Sequence, residues 1–166
     1  MIQIRPAEKA DAPGVARVHV QSWQETYKGI IPDHYLAGLS VAKRTIFWRD
    51  LIAEAKQHAL FVALDEDVVG FVNGGPSRSP DLPFDAELYA IYLLRSHQGM
   101  GVGERLFDAV TAWIKHSGFE SMMLWVLRDN PTLGFYQHLG GHIVSSKHIE
   151  IGGVQLEEVA VGWPRL

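Results

Sequence analysis

The segment from Glu87 to Trp113 constrains the fold of this 166-residue chain more than any other stretch. Residues 88–94 are apolar and aromatic without a helical period, which predicts a buried strand. From Val102 onward, apolar residues recur at steps of three and four, as on one face of a helix. They are Val102, Leu106, Val110, Trp113 and Ile114. The segment therefore predicts a strand, a glycine-rich turn and an amphipathic helix in succession.

The turn contains three glycines at alternate positions, Gly99, Gly101 and Gly103. Because glycine has no Cβ atom, an anionic group could approach this backbone closely. The start of the following helix adds unpaired N–H groups and the positive end of the helix dipole. The turn is therefore suited to a phosphate or pyrophosphate, although glycines also mark ordinary tight turns.

Two common phosphate-binding motifs do not fit this turn. A dinucleotide-binding fingerprint that starts at Gly99 or Gly101 needs a third glycine where Glu104 or Leu106 stands. A Walker motif needs Gly-Lys-Ser/Thr, which does not occur in the sequence. The pattern that does fit is Gln-x-x-Gly-x-Gly, at residues 98–103. It resembles the acetyl-CoA-binding signature of the GCN5-related N-acetyltransferases, the GNAT family.

Composition narrows the class of protein. With 166 residues and 47% hydrophobic residues, we expect a single domain over residues 1–166 with one core. The net charge of −4 and the lack of a basic block indicate no nucleic-acid partner. The absence of cysteine excludes disulfides, thiolate catalysis and cysteine-ligated zinc.

The first residues and the lengths of the apolar runs indicate where in the cell the protein is located. Charged residues stand in the first 13 positions where a signal peptide would have its apolar core, and no run approaches 18 apolar residues. We therefore expect a cytoplasmic protein without a membrane partner.

Hydrophobic periodicity and turn residues predict the order of the elements. Strands are expected at 2–5, 59–64, 68–73, 88–94, 121–127, 142–150 and 154–162. Helices are expected after Asp11, at 33–37, after Ser40, after Gly101 and from Asn130, with a loop at 74–84 long enough to be functional. This order predicts the α/β class, with a mixed central β-sheet flanked by helices on both faces. It is also the order of the GNAT fold, so the resemblance covers nearly the whole chain.

Two of these helices carry apolar residues at helical spacing. In the first, Trp23 and Tyr27 continue the series of Ala12, Ala16 and Val20, which is typical of core residues. In the helix after Ser40, the expected buried face consists of Val41, Trp48, Leu51, Ile52 and Ala55.

The resemblance to the GNAT family implies where acetyl-CoA binds. The pantetheine arm would pair with the backbone of the central strand at Ile91, Tyr92 and Leu93. The pyrophosphate would lie on the backbone of the turn. The residues so implied are Gln98, Gly99, Met100, Gly101, Val102, Gly103 and Glu104, and Asn130 would contact the cofactor arm.

A second signature runs from Asn130 to Tyr136 and continues with Leu139-Gly140. It resembles the family's Asn, Phe-Tyr and Leu-Gly, where the tyrosine hydroxyl faces the sulfur of the cofactor. A phenol with a pKa of about 10 is a suitable donor to a departing thiolate, which makes Tyr136 the expected general acid. A packed core role for Tyr136 is the alternative. Asn130 and Tyr136 are six residues apart, where seven is usual in the family. A role of Asn130 as a helix N-cap, in place of contact with the cofactor arm, therefore stays open.

Glu87 opens the central strand, where many family members place a glutamate that acts as the general base. An acid at the entrance of a strand can also be simply solvated. The resemblance further implies that Trp23 and Tyr27 line the acceptor pocket, with the core role as the alternative. With Glu25 and Asp33 nearby, these aromatics suit a cationic amine such as a polyamine or aminoglycoside.

The eight histidines do not predict a metal site. His138 and His142 are four residues apart, but Gly140 and Gly141 interrupt the helix that would align them. We therefore expect no metal in this protein.

The function implied is an acetyl-CoA-dependent N-acetyltransferase that transfers the acetyl group directly to a primary amine, most simply a small cationic molecule. Without cysteine, an acetyl-cysteine intermediate is excluded. Two alternatives stay open, a non-catalytic acyl-CoA-binding sensor or interaction module and a protein N-terminal acetyltransferase. A homodimer is also open, since the fold often dimerises.

Overall fold

The computed structural model describes residues 1–54 and 57–166. Seven strands form one sheet in the order β1-β2-β3-β4-β5-β7-β6, in which only β4 and β5 are parallel neighbours. The strands are β1 (Gln3–Pro6), β2 (Ala59–Asp65), β3 (Asp67–Pro76), β4 (Ala86–Leu93), β5 (Met122–Leu127), β6 (His142–Ile151) and β7 (Val154–Trp163). The helices are α1 (Ala12–Thr26), α2 (Asp33–Ala37), α3 (Val41–Ala53), α4 (Val102–His116) and α5 (Leu133–His138).

Helices cover both faces of the sheet, which confirms the predicted α/β architecture. On one face, α1 and α3 bury Val15, Val18 and Trp48 against Phe71 of β3. On the other face, the predicted apolar stripe of α4 packs with β-strands and α5 in the larger core cluster. Four of its five residues, Val102, Leu106, Val110 and Ile114, are at most 2% exposed.

The predicted buried face of α3 is wrong in part. Trp48 is buried, but Val41 is 41% exposed, and Leu51 and Ile52 are only half-buried. Because α3 packs mainly on α1, the sheet covers only the stripe around Trp48. Ala55, which was expected on the same face, lies outside the described residues.

Asp11 precedes α1 as predicted, but its carboxylate does not cap that helix. It accepts hydrogen bonds from Nη1 and Nη2 of Arg5 at 2.7 and 3.0 Å and from the N–H of Glu8 at 2.7 Å. These bonds close a 3₁₀ turn at Lys9–Asp11 and tie it to β1.

The sheet opens between its two parallel strands. Pairing between β4 and β5 is confined to Ala86 with Met122 and Glu87 with Met123. The other edge of β4 pairs with β3 as far as Leu93. Beyond Glu87, the β5-facing edge of β4 therefore has no strand partner among the described residues, and a cleft opens there.

The segment after β3 closes one end of this cleft. Three residues of the predicted loop, 74–76, extend β3 because they pair with β4. The remaining loop residues, 77–84, form with Asp85 the segment 77–85, which is held against the sheet: the N–H of Ser77 donates to the carbonyl oxygen of Asp85 at 3.0 Å, and Phe84 packs on Gly162 of β7.

Candidate active site

A cavity of about 990 Å³ occupies the opening between β4 and β5. Its wall includes parts of α1, the segment 77–85, β4, the glycine turn, β5, α5, β6 and β7. The residues expected to bind acetyl-CoA, to act in catalysis or to form the aromatic wall of the acceptor pocket all line it, except Met100 and Val102. The side chain of Met100 is 57% exposed, and that of Val102 is buried in the core under α4.

The glycine turn presents backbone rather than side chains to the cavity. Gly99 and Gly101 have φ of +77°, a conformation that glycine adopts without strain. Gly101 is the N-cap of α4, whose first backbone bond runs from Arg105 N–H to the Gly101 carbonyl oxygen. The N–H groups of residues 102–104 precede that bond, so they are free of intrahelical partners. Gln98 fixes the turn, because its Nε2 donates to the Leu93 carbonyl oxygen at 3.0 Å.

Glu25 and Asp33 do not face the cavity, so the expectation that they bind a cationic acceptor is wrong. Glu25 accepts hydrogen bonds from the backbone N–H of Arg95 at 3.0 Å and from Nε2 of Gln21 at 2.8 Å. Arg95 also donates through Nη2 to the Glu25 carbonyl oxygen at 2.7 Å. Glu25 therefore fastens α1 to the glycine turn, and Asp33 begins α2 outside the cavity lining.

Tyr136 lies on α5, is 6% exposed and lines the cavity. Burial raises the pKa of its hydroxyl well above the ordinary value, and the neighbouring Tyr92 adds to the effect. The phenol therefore keeps its proton at neutral pH, as a proton donor must.

Asn130 uses both polar atoms of its side chain within the protein. Its Oδ1 accepts from the N–H and the hydroxyl of Thr132 at 2.9 and 2.7 Å, and its Nδ2 donates to Tyr27 Oη at 3.1 Å. The first two bonds hold a turn before α5, so the helix starts at Leu133, and Thr132 is its N-cap. Asn130 thus orders this turn and positions Tyr27, and it also reaches the cavity wall.

Trp23 and Tyr27 pack in an apolar cluster and also line the cavity. Tyr27 is 5% exposed, and the Trp23 ring meets it edge-on with centroids 4.9 Å apart. Both pack with Ile31 and Leu36 in a small apolar cluster, and both line the cavity. Burial raises the pKa of the Tyr27 hydroxyl, so it stays protonated.

Glu87 is 2% exposed, so the alternative of a solvated acid is wrong. Its Oε1 accepts from the backbone N–H of Arg78 at 2.9 Å, and its Oε2 accepts from Arg78 Nη2 at 2.8 Å. The guanidinium of Arg78 lies 4.0 Å above the centroid of the Tyr89 ring. The segment 77–85 therefore holds the Glu87 carboxylate in one position at the narrow end of the cleft.

Three further residues of the cavity were missed in the sequence, Trp125, Lys147 and Glu158. The ammonium of Lys147 lies 4.0 Å above the Trp125 ring centroid and 3.6 Å from Glu158 Oε1. Burial raises the pKa of Glu158, although Lys147 opposes the shift, and the charge of Glu87 adds to it. The charge of one cavity carboxylate, Glu87, therefore raises the pKa of another, Glu158.

Gly141 packs so closely on Val161 and Trp163 of β7 that no side chain fits there. A Cβ atom on Gly141 would lie 2.7 Å from the Trp163 ring. The indole Nε1 of Trp163 donates to the Leu139 carbonyl oxygen at 3.1 Å, which fixes the ring against the end of α5.

Among residues 1–54 and 57–166, no group of three or more His, Asp or Glu side chains is placed to hold a metal ion. No helix in the described part of the chain is both long and apolar enough to cross a membrane.

Comparisons with known proteins agree with this geometry. The family model described as the acetyltransferase (GNAT) family matches residues 21–141. An uncharacterized N-acetyltransferase of Bacillus subtilis (strain 168), YuaI, is 40% identical, and the alignment covers all of this chain and 95% of that protein.

Solved structures share the fold at low sequence identity. The PaiA N-acetyltransferase of Thermoplasma acidophilum, solved in complex with coenzyme A, gives a TM-score of 0.77 at 22% identity over 95% of this chain and 98% of that chain. The yncA protein of Salmonella typhimurium, solved with its cofactor acetyl-CoA, gives a TM-score of 0.74 at 18% identity. The match covers 98% of this chain and 93% of that chain. With a family model matched over most of its length and a relative at 40% identity aligned throughout, this chain belongs to the GNAT family of acetyltransferases.

Proposed function

We propose that this protein transfers the acetyl group of acetyl-CoA directly to the primary amine of a small cationic molecule. The observation that carries the proposal is the cavity between β4 and β5, which is lined both by the glycine turn and by Tyr136 and Glu87.

The chain has the features that acetyl-CoA needs. The open edge of β4, which includes Ile91, Tyr92 and Leu93, offers backbone groups to the pantetheine amides, as an added strand would. The N–H groups at the start of α4 and the helix dipole suit the pyrophosphate. The Cβ atom of a residue at 103 would face Phe135 at 3.5 Å, so any longer side chain there would fill the space over the turn.

Two side chains would move the protons. Bound acetyl-CoA supplies the acetyl thioester and, after transfer, a thiolate as leaving group. Tyr136 gives the proton of its hydroxyl to that sulfur, which its buried and protonated state allows. Glu87 takes a proton from the attacking amine, while Arg78 keeps the carboxylate in place. Without cysteine, the route is direct transfer in a ternary complex.

A cationic acceptor is favoured by the acidic and aromatic side chains that line the cavity. Glu87 and Glu158 supply negative charge there, and Trp23, Tyr27, Tyr89 and Trp125 supply aromatic faces. Carboxylates and aromatic faces are the groups that attract ammonium ions in proteins.

The first test compares the wild-type protein with Tyr136→Phe in thiol release from acetyl-CoA, against a panel of amines that includes spermidine, an aminoglycoside and a peptide with a free N-terminus. Loss of the hydroxyl should lower kcat on the order of 10²-fold, because the thiolate would leave without its proton. Acetyl-CoA binding, measured by calorimetry, should be unchanged. Release of thiol by none of the amines, or a variant as fast as the wild type, would contradict the proposal or the role of Tyr136, respectively.

A further inference from the structure

One wall of the cavity is built from neighbouring strands that bring Trp125, Lys147 and Glu158 together. Lys147 of β6 and Glu158 of β7 are directly opposed partners in the antiparallel ladder. Glu158 also stands opposite Leu127 of β5, two residues from Trp125 on the same strand face. The indole Nε1 of Trp125 donates to Ser79 Oγ at 2.9 Å, so the segment 77–85 fixes the ring.

Lys147 places an ammonium where a bound cation would lie. The ammonium has an aromatic face at 4.0 Å and a carboxylate oxygen at 3.6 Å, which is the environment that proteins use to bind ammonium ligands. The position of Lys147 therefore shows that an ammonium ion fits between Trp125 and Glu158.

The hold on Lys147 is weak. The distance of 3.6 Å to Glu158 is longer than a normal charge-assisted hydrogen bond, and the Lys147 side chain is 47% exposed. The Glu158 side chain is only 18% exposed, but water reaches the Lys147 ammonium and weakens the ion pair, and the long lysine side chain can turn to solvent. A ligand ammonium could thus replace Lys147 without disturbing the sheet.

We propose that Trp125 and Glu158 form the subsite for a second cationic group of the acceptor, and that Lys147 occupies this subsite until the acceptor displaces it. The inference rests on the proposed function and narrows the acceptor to a diamine or polyamine. The reacting amine lies at Glu87 and Tyr136, and the second ammonium lies on Trp125 beside Glu158. Glu87 and Glu158, two of the carboxylates that line the cavity, would each face one charge of such a molecule.

The test measures the KM for spermidine at saturating acetyl-CoA in four proteins. Glu158→Gln should raise this KM about tenfold, because the subsite loses its charge. Lys147→Met should lower it about threefold, because the competing ammonium is gone. Glu157→Gln is the matched control: Glu157 is the adjacent acid, pairs with Arg128 at 2.8 Å and does not line the cavity. The KM for spermidine of Glu157→Gln should equal that of the wild type. The KM for acetyl-CoA should be the same in all four proteins.

A matched monoamine, 1-aminobutane, separates the subsite from the reacting centre. Its single amine is the one that accepts the acetyl group, and it has no second ammonium for the subsite. Glu158→Gln should therefore raise the KM for 1-aminobutane far less than the KM for spermidine. An equal effect of Glu158→Gln and Glu157→Gln on spermidine, or a higher KM in Lys147→Met, would overturn the subsite while leaving the acetyltransferase function intact.

If no amine releases thiol, the proposed function is contradicted. A binding measurement can still test the subsite in that event. The indole ¹H–¹⁵N resonance of Trp125, assigned by its absence in Trp125→Phe, is followed while spermidine is added to the protein. A shift in the wild type that is lost in Glu158→Gln supports the subsite. No shift in the wild type, or the same shift in both proteins, overturns it. Far-UV circular dichroism verifies that each variant is folded.

Discussion

A buried histidine joins α1 to α3 beneath the sheet. His19 is 8% exposed, accepts a hydrogen bond at Nδ1 from Trp48 Nε1 at 3.1 Å and stacks on Tyr92 with ring centroids 5.3 Å apart. Burial lowers the pKa of His19 from its ordinary value of 6.5 to about 4, and the positive charge of Arg44 adds to the shift. The imidazole is therefore neutral at pH 7, which suits its role as an acceptor.

This pKa makes stability depend on pH in a defined direction. The unfolded chain protonates His19 near pH 6.5 and the folded protein only near pH 4, so the stabilisation is complete above pH 6.5 and is lost as the pH falls towards 4. The loss is at most about 3 kcal/mol for a shift of this size. The free energy of unfolding, measured with urea at pH 7, 5 and 4, should depend less on pH in His19→Gln than in the wild type.

The control for that experiment is His116→Gln, at the exposed end of α4. It should leave the dependence as in the wild type. A His19→Gln protein that loses as much free energy of unfolding as the wild type between pH 7 and 4 would show that His19 is not the responsible group.

At the scale of the element, the glycine turn and the start of α4 form a surface made of backbone. Gly103 is the position for testing it, because its φ is not in the left-handed region and a Cβ atom would find ordinary contact with Phe135. Gly103→Leu should thus keep the fold and place a side chain over the free N–H groups.

Gly103→Leu should weaken acetyl-CoA binding at least about tenfold while the far-UV circular dichroism spectrum stays unchanged. Calorimetric titration with acetyl-CoA measures the effect. Gly134→Leu, at a position of α5 where a Cβ atom would meet nothing within 4 Å, is the control and should bind as the wild type does. Equal affinity in both variants would contradict a phosphate role for the turn.

The order of the elements could be predicted from the sequence because each one carries a local signal. The period of the α4 stripe and the Ser40 cap, which accepts from Lys43 N–H at 3.2 Å, are examples. The length of α5 could not be predicted in this way. The bonds from Asn130 Oδ1 to Thr132 delay the helix, and a proline after Asn130 gives no sign of them.

The site was predictable only where a motif marks it. Tyr136, Glu87 and the glycine turn carry family signatures, but Trp125, Lys147 and Glu158 carry none. The alternation of Val159 and Val161, both buried, places Glu158 on the opposite face of β7. That this face meets the cavity depends on the sheet order, which joins β7 to β5. The same lack of long-range information led to the wrong expectation for Glu25, whose partner Arg95 is 70 residues away.

At the scale of the whole molecule, the net charge of −4 and the acids of the cavity should make binding of the proposed cationic acceptor sensitive to salt. The Debye length falls from about 10 Å at 0.1 M to about 3 Å at 1 M ionic strength. The KM for spermidine should therefore rise several-fold between 0.05 and 0.5 M NaCl. Steady-state kinetics at saturating acetyl-CoA measure it, and a KM indifferent to salt would count against a cationic acceptor.

If acetyl-CoA pairs with β4 as proposed, the short pairing between β4 and β5 also makes the stability of the fold depend on this ligand. Only Ala86 and Glu87 of β4 pair with β5, so a ligand that pairs with the rest of the β4 edge completes the hydrogen bonds of the sheet. Such a ligand binds the folded chain and not the unfolded one, and at 100 times its Kd it adds about 2.7 kcal/mol to the free energy of unfolding. The lifetime of this protein in a cell, as well as its activity, would then follow the supply of acetyl-CoA.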